Sequence, residues 1–76
     1  MEGVQVAHEV VAEMVANVLT VVAEQGTVLQ PGDTIVILES MKMEIPVLAE
    51  TAGTVIDVRV DPGDVVQEGD VLAVVS

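Results

Sequence analysis

Apolar residues recur along this chain at two conflicting periods. In EVVAEMVANVLTVVAE, residues 9–24, Val10, Val11, Met14, Val15, Val18, Leu19 and Val22 fall at helical spacing, with Glu9, Glu13, Asn17 and Thr20 opposite. Taken alone, that pattern predicts an amphipathic helix. In GTVIDVRV, residues 53–60, the period is two, with Val55, Asp57 and Arg59 on one face and Ile56, Val58 and Val60 on the other. This is a strand pattern, and it stops at DPGD, where Pro62 fixes φ and Gly63 can supply φ > 0.

An internal repeat arbitrates between the two periods. A displacement of 37 residues lays 16–39 on 53–76 without a gap, and seven of the 24 pairs are identical, among them Val18 with Val55, Gly26 with Gly63 and Asp33 with Asp70. Residues 16–23 therefore share the strand conformation expected of 53–60, the helix remaining as the alternative. Each copy continues with a short apolar pair, Val28 and Leu29 or Val65 and Val66. A turn at QPGD or QEGD follows, then a final strand at about 34–39 or 71–75. Two related halves of short strands predict an all-β, pseudo-twofold flattened barrel or sandwich of two small antiparallel sheets.

Between the halves, TIVILES and MEIPVLAE are separated only by Met41 and Lys42. Two strands joined by about two residues form a hairpin, which places Lys42 at an exposed tip. Met-Lys is not the Asn-Gly pair that such a turn prefers, so something other than turn propensity maintains it. Pro46 puts the strand after the hairpin near an edge or bulge.

Composition narrows the functions open to this architecture. The 76 residues predict a single domain over 1–76, with 1–9 as a peripheral N-terminal strand or tail and a core burying roughly 60% of the unfolded surface. Nineteen residues are valine and none is aromatic, which favours strands and an aliphatic core. A formal net charge of −11 argues against nucleic acid and anionic membrane as partners. The absence of cysteine excludes disulfides, thiolate metal sites and thiol nucleophiles. No apolar run approaches the roughly 20 residues that cross a bilayer. The N-terminus MEGVQVAHEV lacks the form of a secretory signal, so a cytoplasmic location is the default expectation. His8, the single histidine, has no partners in sequence that suggest a metal site. Most acidic residues read as solvated surface, while Asp33, Asp64 and Asp70 are expected to fix turns through local hydrogen bonds.

The segment ESMKMEIP, preceded by GDTIVILE and followed by AGTV and PGDVVQEGDVLAVV, resembles the biotinyl attachment domain, whose usual signature is Ala-Met-Lys-Met. The resemblance covers roughly residues 10–76. It implies a flattened barrel of two four-stranded sheets with quasi-twofold symmetry and biotin attached covalently to Lys42. It also implies that Gly26 and Gly53 are turn glycines. Ser40 replaces the usual alanine, one small residue for another, and Ala16 stands where the first half often has glycine, so that strand is open to starting differently. No insertion precedes QGTV, so no protruding thumb loop is expected. The chain looks like a free-standing carrier or an excised fragment.

The resemblance further implies a division of labour. A biotin protein ligase presents biotinyl-adenylate, and the neutral ε-amine of Lys42 attacks its acyl carbon after losing a proton. The tethered group then serves a biotin carboxylase and a carboxyltransferase, which own the catalytic groups, so this chain is expected to be a carrier and not an enzyme. For Met41 and Met43 two roles compete: filling gaps in the core, or contacting the ligase. Their alternation with Lys42 in a tight turn favours exposure of at least one. Glu39 and Glu44 read first as solvated strand ends, with Glu39 also placed to assist ligase docking. Two other classes stay open. A lipoyl carrier shares the fold and the hairpin lysine, but lipoyl domains resemble Asp-Lys-Ala at this point. An unmodified protein-interaction module would use the acidic barrel surface only for protein contacts, and Lys42→Arg would leave its function intact.

Overall fold

The computed structural model describes residues 7–76. They form eight strands: β1 (His8–Val11), β2 (Ala16–Val21), β3 (Val28–Leu29), β4 (Thr34–Ser40), β5 (Met43–Leu48), β6 (Gly53–Val58), β7 (Val65–Val66) and β8 (Val71–Val75). These pair into two four-stranded antiparallel sheets, ordered β1-β8-β6-β3 and β5-β4-β2-β7. With β1 counted to the first half and β5 to the second, each sheet takes two strands from either half, so neither half can bury its apolar face without the other. Residues 8 and 9 of the expected peripheral segment pair with Val75 and Val74 of β8; residues 1–6 lie outside the described residues.

The helix suggested by residues 9–24 does not form. That stretch is β1, a turn and β2. Of the seven residues in the apparent helical stripe only Val18 is fully buried, whereas Ala12, Ala16 and Ala23, outside the stripe, are in the core. The true periodicity was carried by alanines, which valine at every spacing obscured.

The repeat extends into the hydrogen bonds. Gly26 N–H donates to the Val55 carbonyl and Gly63 N–H to the Val18 carbonyl, both at 2.8 Å. Likewise Gly32 N–H reaches the Ala49 carbonyl and Gly69 N–H the Ala12 carbonyl, again both at 2.8 Å. Gly26 and Gly63 are thus tied to the other half, and Gly32 and Gly69 to the residues that follow β5 and β1, the partners being related by the same displacement of 37 residues. The three expected aspartates close their turns as anticipated. Asp33, Asp64 and Asp70 each accept, through Oδ2, the backbone N–H three residues earlier at 2.9 Å.

The bulges match as well. The β2–β4 pairing slips between Val18 and Thr20 and the β6–β8 pairing between Val55 and Asp57; β1–β8 and β4–β5 slip at equivalent places. A bulge resets which side chains face inward. This corrects the face assignment for β6: Val55, expected to share a face with Asp57 and Arg59, is 1% exposed, while Ile56 is 42% exposed. Ile35 and Leu72, displaced residues of the β4 and β8 bulges, become fully buried.

Gly53 also departs from expectation. It is not among the positive-φ turn glycines but the first residue of β6. A Cβ there would stand 2.7 Å from Val75 Cγ1 and 2.9 Å from the Ser76 carbonyl oxygen, so its role is close packing of backbone. Ala16 occupies the matching place and is the first residue of β2, so the two strands start in register despite the alanine.

The core is aliphatic throughout. Leu29, Ile35, Leu38, Leu72, Val18, Val36 and Val55 are its largest fully buried side chains, and no polar or charged residue is buried among the described residues. Burying each such side chain stabilises the fold by about 1.5–3 kcal/mol. Leu38 and Val36 belong to β4, and they anchor the strand that carries the hairpin.

Candidate functional site

The hairpin tip is built by β4 and β5. Their register runs Leu38 opposite Ile45, Glu39 opposite Glu44 and Ser40 opposite Met43, leaving only Met41 and Lys42 to make the turn. Closing an antiparallel pair with two residues calls for a turn whose twist matches that of the strands, and this demands φ > 0 at both central positions. Met41 has φ 53° and Lys42 φ 66°. These are the only non-glycine residues with positive φ among the described residues, and such conformations cost roughly 1–2 kcal/mol each for an L residue. Local preference is overridden here by the strand register below, which is fixed by the burial of Leu38 and the pairing of the hairpin rows.

The three central side chains face solvent. Met41 is 91% exposed and Met43 62%, and Lys42 is exposed too. Of the two roles weighed for the methionines, filling the core is therefore excluded for both. β5 is an edge strand of its sheet, in keeping with Pro46.

Charge around the tip is arranged unfavourably for the hairpin alone. Glu39 and Glu44 face each other across the strands, and like charges placed directly opposite are destabilising. The chain's other basic side chain, Arg59, is engaged by Asp57 through Nε and Oδ2, the one ion pair among the described residues. Lys42 has no hydrogen bond or ion pair among the described residues. Among the described residues its amine is thus the one Lys or Arg side chain without a partner, at the tip of the β4–β5 hairpin. A primary amine so placed can be acylated by an enzyme that closes over the tip, and nothing in the fold would obstruct a group attached to it.

A groove of about 630 Å³ runs along the flank between the edge strands β1 and β5, over Ile35, Leu38, Val47 and Val75, but Met41, Lys42 and Met43 do not line it. His8 borders that groove on β1, and no cluster of three or more potential metal ligands occurs among the described residues.

Two four-stranded sheets, with the single lysine at the hairpin that joins the repeats, make up the framework of the domain. A family model described as biotin-requiring enzyme matches residues 5–75, and the chain belongs to this biotinyl/lipoyl family. The biotinylated protein TB7.3 homolog of Mycolicibacterium smegmatis is 60% identical over 40 residues, which are 53% of this chain and 56% of that protein. The chain thus matches about half the length of the curated relatives. The urea carboxylase of Kluyveromyces lactis superposes with a TM-score of 0.88 at 32% identity, over 100% of this chain and 7% of that one. The lipoyl domain of the 2-oxoglutarate dehydrogenase complex of Azotobacter vinelandii gives a TM-score of 0.71 at 27% identity, over 82% of this chain and 78% of that one. A urea carboxylase and a lipoyl domain thus share this fold, so the backbone alone does not distinguish between them.

Proposed function

We propose that this chain is a biotin carrier in which Lys42 is the acylated residue. The observation that carries the reading is the Met41-Lys42-Met43 tip itself: an unpartnered amine between two exposed thioethers, on a turn held by the register of β4 and β5. Relatives named as biotinylated proteins support it.

In this reading Lys42 loses a proton in the ligase site and its nitrogen forms an amide with the activated carboxyl group, displacing the adenylate. Met41 and Met43 supply the apolar contacts by which biotin protein ligase reads the tip, and Glu39 lies one cross-strand row below them, where it can meet the same enzyme. Biotin so attached supplies a ureido ring that takes up and gives up a carboxyl group. The domain holds the end of the tether and moves it between a biotin carboxylase and a carboxyltransferase, whose side chains perform both transfers. No general base is required of this chain.

A lipoyl carrier is the second reading, favoured only by the shared fold. Offering the purified chain in parallel to a biotin ligase with biotin and ATP, and to a lipoate ligase with lipoate and ATP, separates the two. Acylation by the first alone is expected; preferential lipoylation would overturn the assignment.

A further inference from the structure

The chain contains no cysteine, tryptophan or tyrosine, so its oxidisable side chains are in practice the thioethers of methionine. Three methionines lie among the described residues, and their exposures differ: Met14 is 38% exposed, Met43 62% and Met41 91%. Exposure governs access of an oxidant to sulfur. The most accessible sulfurs therefore stand on either side of the one lysine. Neither is buried against the core, so their oxidation leaves the packing of Leu38 and Ile35 untouched.

We propose that Met41 and Met43 form a peroxide-sensitive modification site that controls whether Lys42 can be acylated. In the step, a sulfur lone pair attacks the distal oxygen of a hydroperoxide, the O–O bond breaks, and an S–O bond forms. Proton transfer to the departing oxygen releases water, or an alcohol from an alkyl hydroperoxide. Sulfur loses two electrons and the peroxide gains them. The product replaces a flexible apolar thioether by a polar, chiral sulfoxide. An enzyme surface that accepts two thioethers would then have to desolvate two S=O dipoles without built-in partners, which is unfavourable. Oxidised carrier is excluded from the ligase, and reduction of the sulfoxides restores it.

This inference rests on the reading of Lys42 as the ligase's acceptor. The test treats the unmodified full chain with limiting hydrogen peroxide and follows each methionine by peptide mass spectrometry. Treated and untreated protein are then offered to biotin ligase with biotin and ATP. Met41 and then Met43 should gain oxygen before Met14, and acylation should slow by about tenfold or more. Incubation with the two methionine sulfoxide reductases should return the untreated rate. The Met14→Leu variant should keep the full peroxide sensitivity. In the Met41→Leu/Met43→Leu variant, whatever its basal rate, treated and untreated samples should react alike. Oxidation of Met14 ahead of Met41, or unchanged acylation of chain oxidised at both tip sulfurs, would overturn the inference while leaving the carrier reading standing. Untreated chain that the ligase never acylates would overturn the carrier reading and the inference with it.

Discussion

Replacing Met41 by Asn and Lys42 by Gly should make the domain more stable while abolishing its proposed function. Both positions have left-handed backbone, with φ 53° and 66°, each costing an ordinary L residue roughly 1–2 kcal/mol. Asn relieves part of this because its short side chain bonds locally in that region. Gly relieves all of it but brings about 0.5–1 kcal/mol of extra unfolded-state entropy. Neither native side chain contributes burial that would be lost, since Met41 is 91% exposed and Lys42 has no partner among the described residues. The net gain is about 1 kcal/mol, which for a domain of this size raises Tm by about 4–8 °C. Urea and thermal unfolding followed by far-UV circular dichroism measure it directly, a suitable probe because the chain has no aromatic residue to report otherwise. An unchanged or lowered stability would refute the claim that register forces the tip into a conformation its own residues disfavour.

Three further outcomes test the scaffold. Gly53→Ala should destabilise by about 1–3 kcal/mol, because the new methyl meets Val75 at 2.7 Å and backbone at 2.9 Å; equal or higher stability in urea unfolding would contradict close packing there. Asp64→Ala should cost about 0.5–1.5 kcal/mol through loss of the Asp61 N–H bond, seen as a lower urea midpoint with unchanged slope. Leu72→Ala empties a fully buried bulge position and should cost about 2–5 kcal/mol, enough to unfold much of the population at moderate temperature.

Lys42 at an exposed hairpin tip was legible because only two residues separate TIVILES from MEIPVLAE, a spacing that leaves one geometry. The sandwich was legible through the repeat and through the resemblance around ESMKMEIP; locally, Val10 to Val22 gave a helical signal that the structure resolves into two strands and a turn. Valine is so frequent that almost any period finds support, while Ala12, Ala16 and Ala23, which mark the buried side, carry little hydropathy. The bulges escaped because an extra residue in a ladder leaves no compositional mark, and the faces of Val55 and Ile56 were exchanged as a result. The resemblance implies a turn at Gly53, and nothing in the sequence alone distinguishes a glycine that supplies φ > 0 from one that makes room for a neighbouring strand. At the tip, the opposition of Glu39 and Glu44 required the register and became visible only in the structure, whereas the mismatch between Met-Lys and a two-residue turn was already legible.

The most direct measurement is the intact mass of the chain after coexpression with a biotin ligase in excess biotin. The account predicts one biotinyl increment on the native chain and none on Lys42→Arg, which keeps the positive charge and the fold but not the acylable amine. An increment that survives in Lys42→Arg, a lipoyl increment in its place, or an unmodified native chain beside a ligase shown to be active would contradict it.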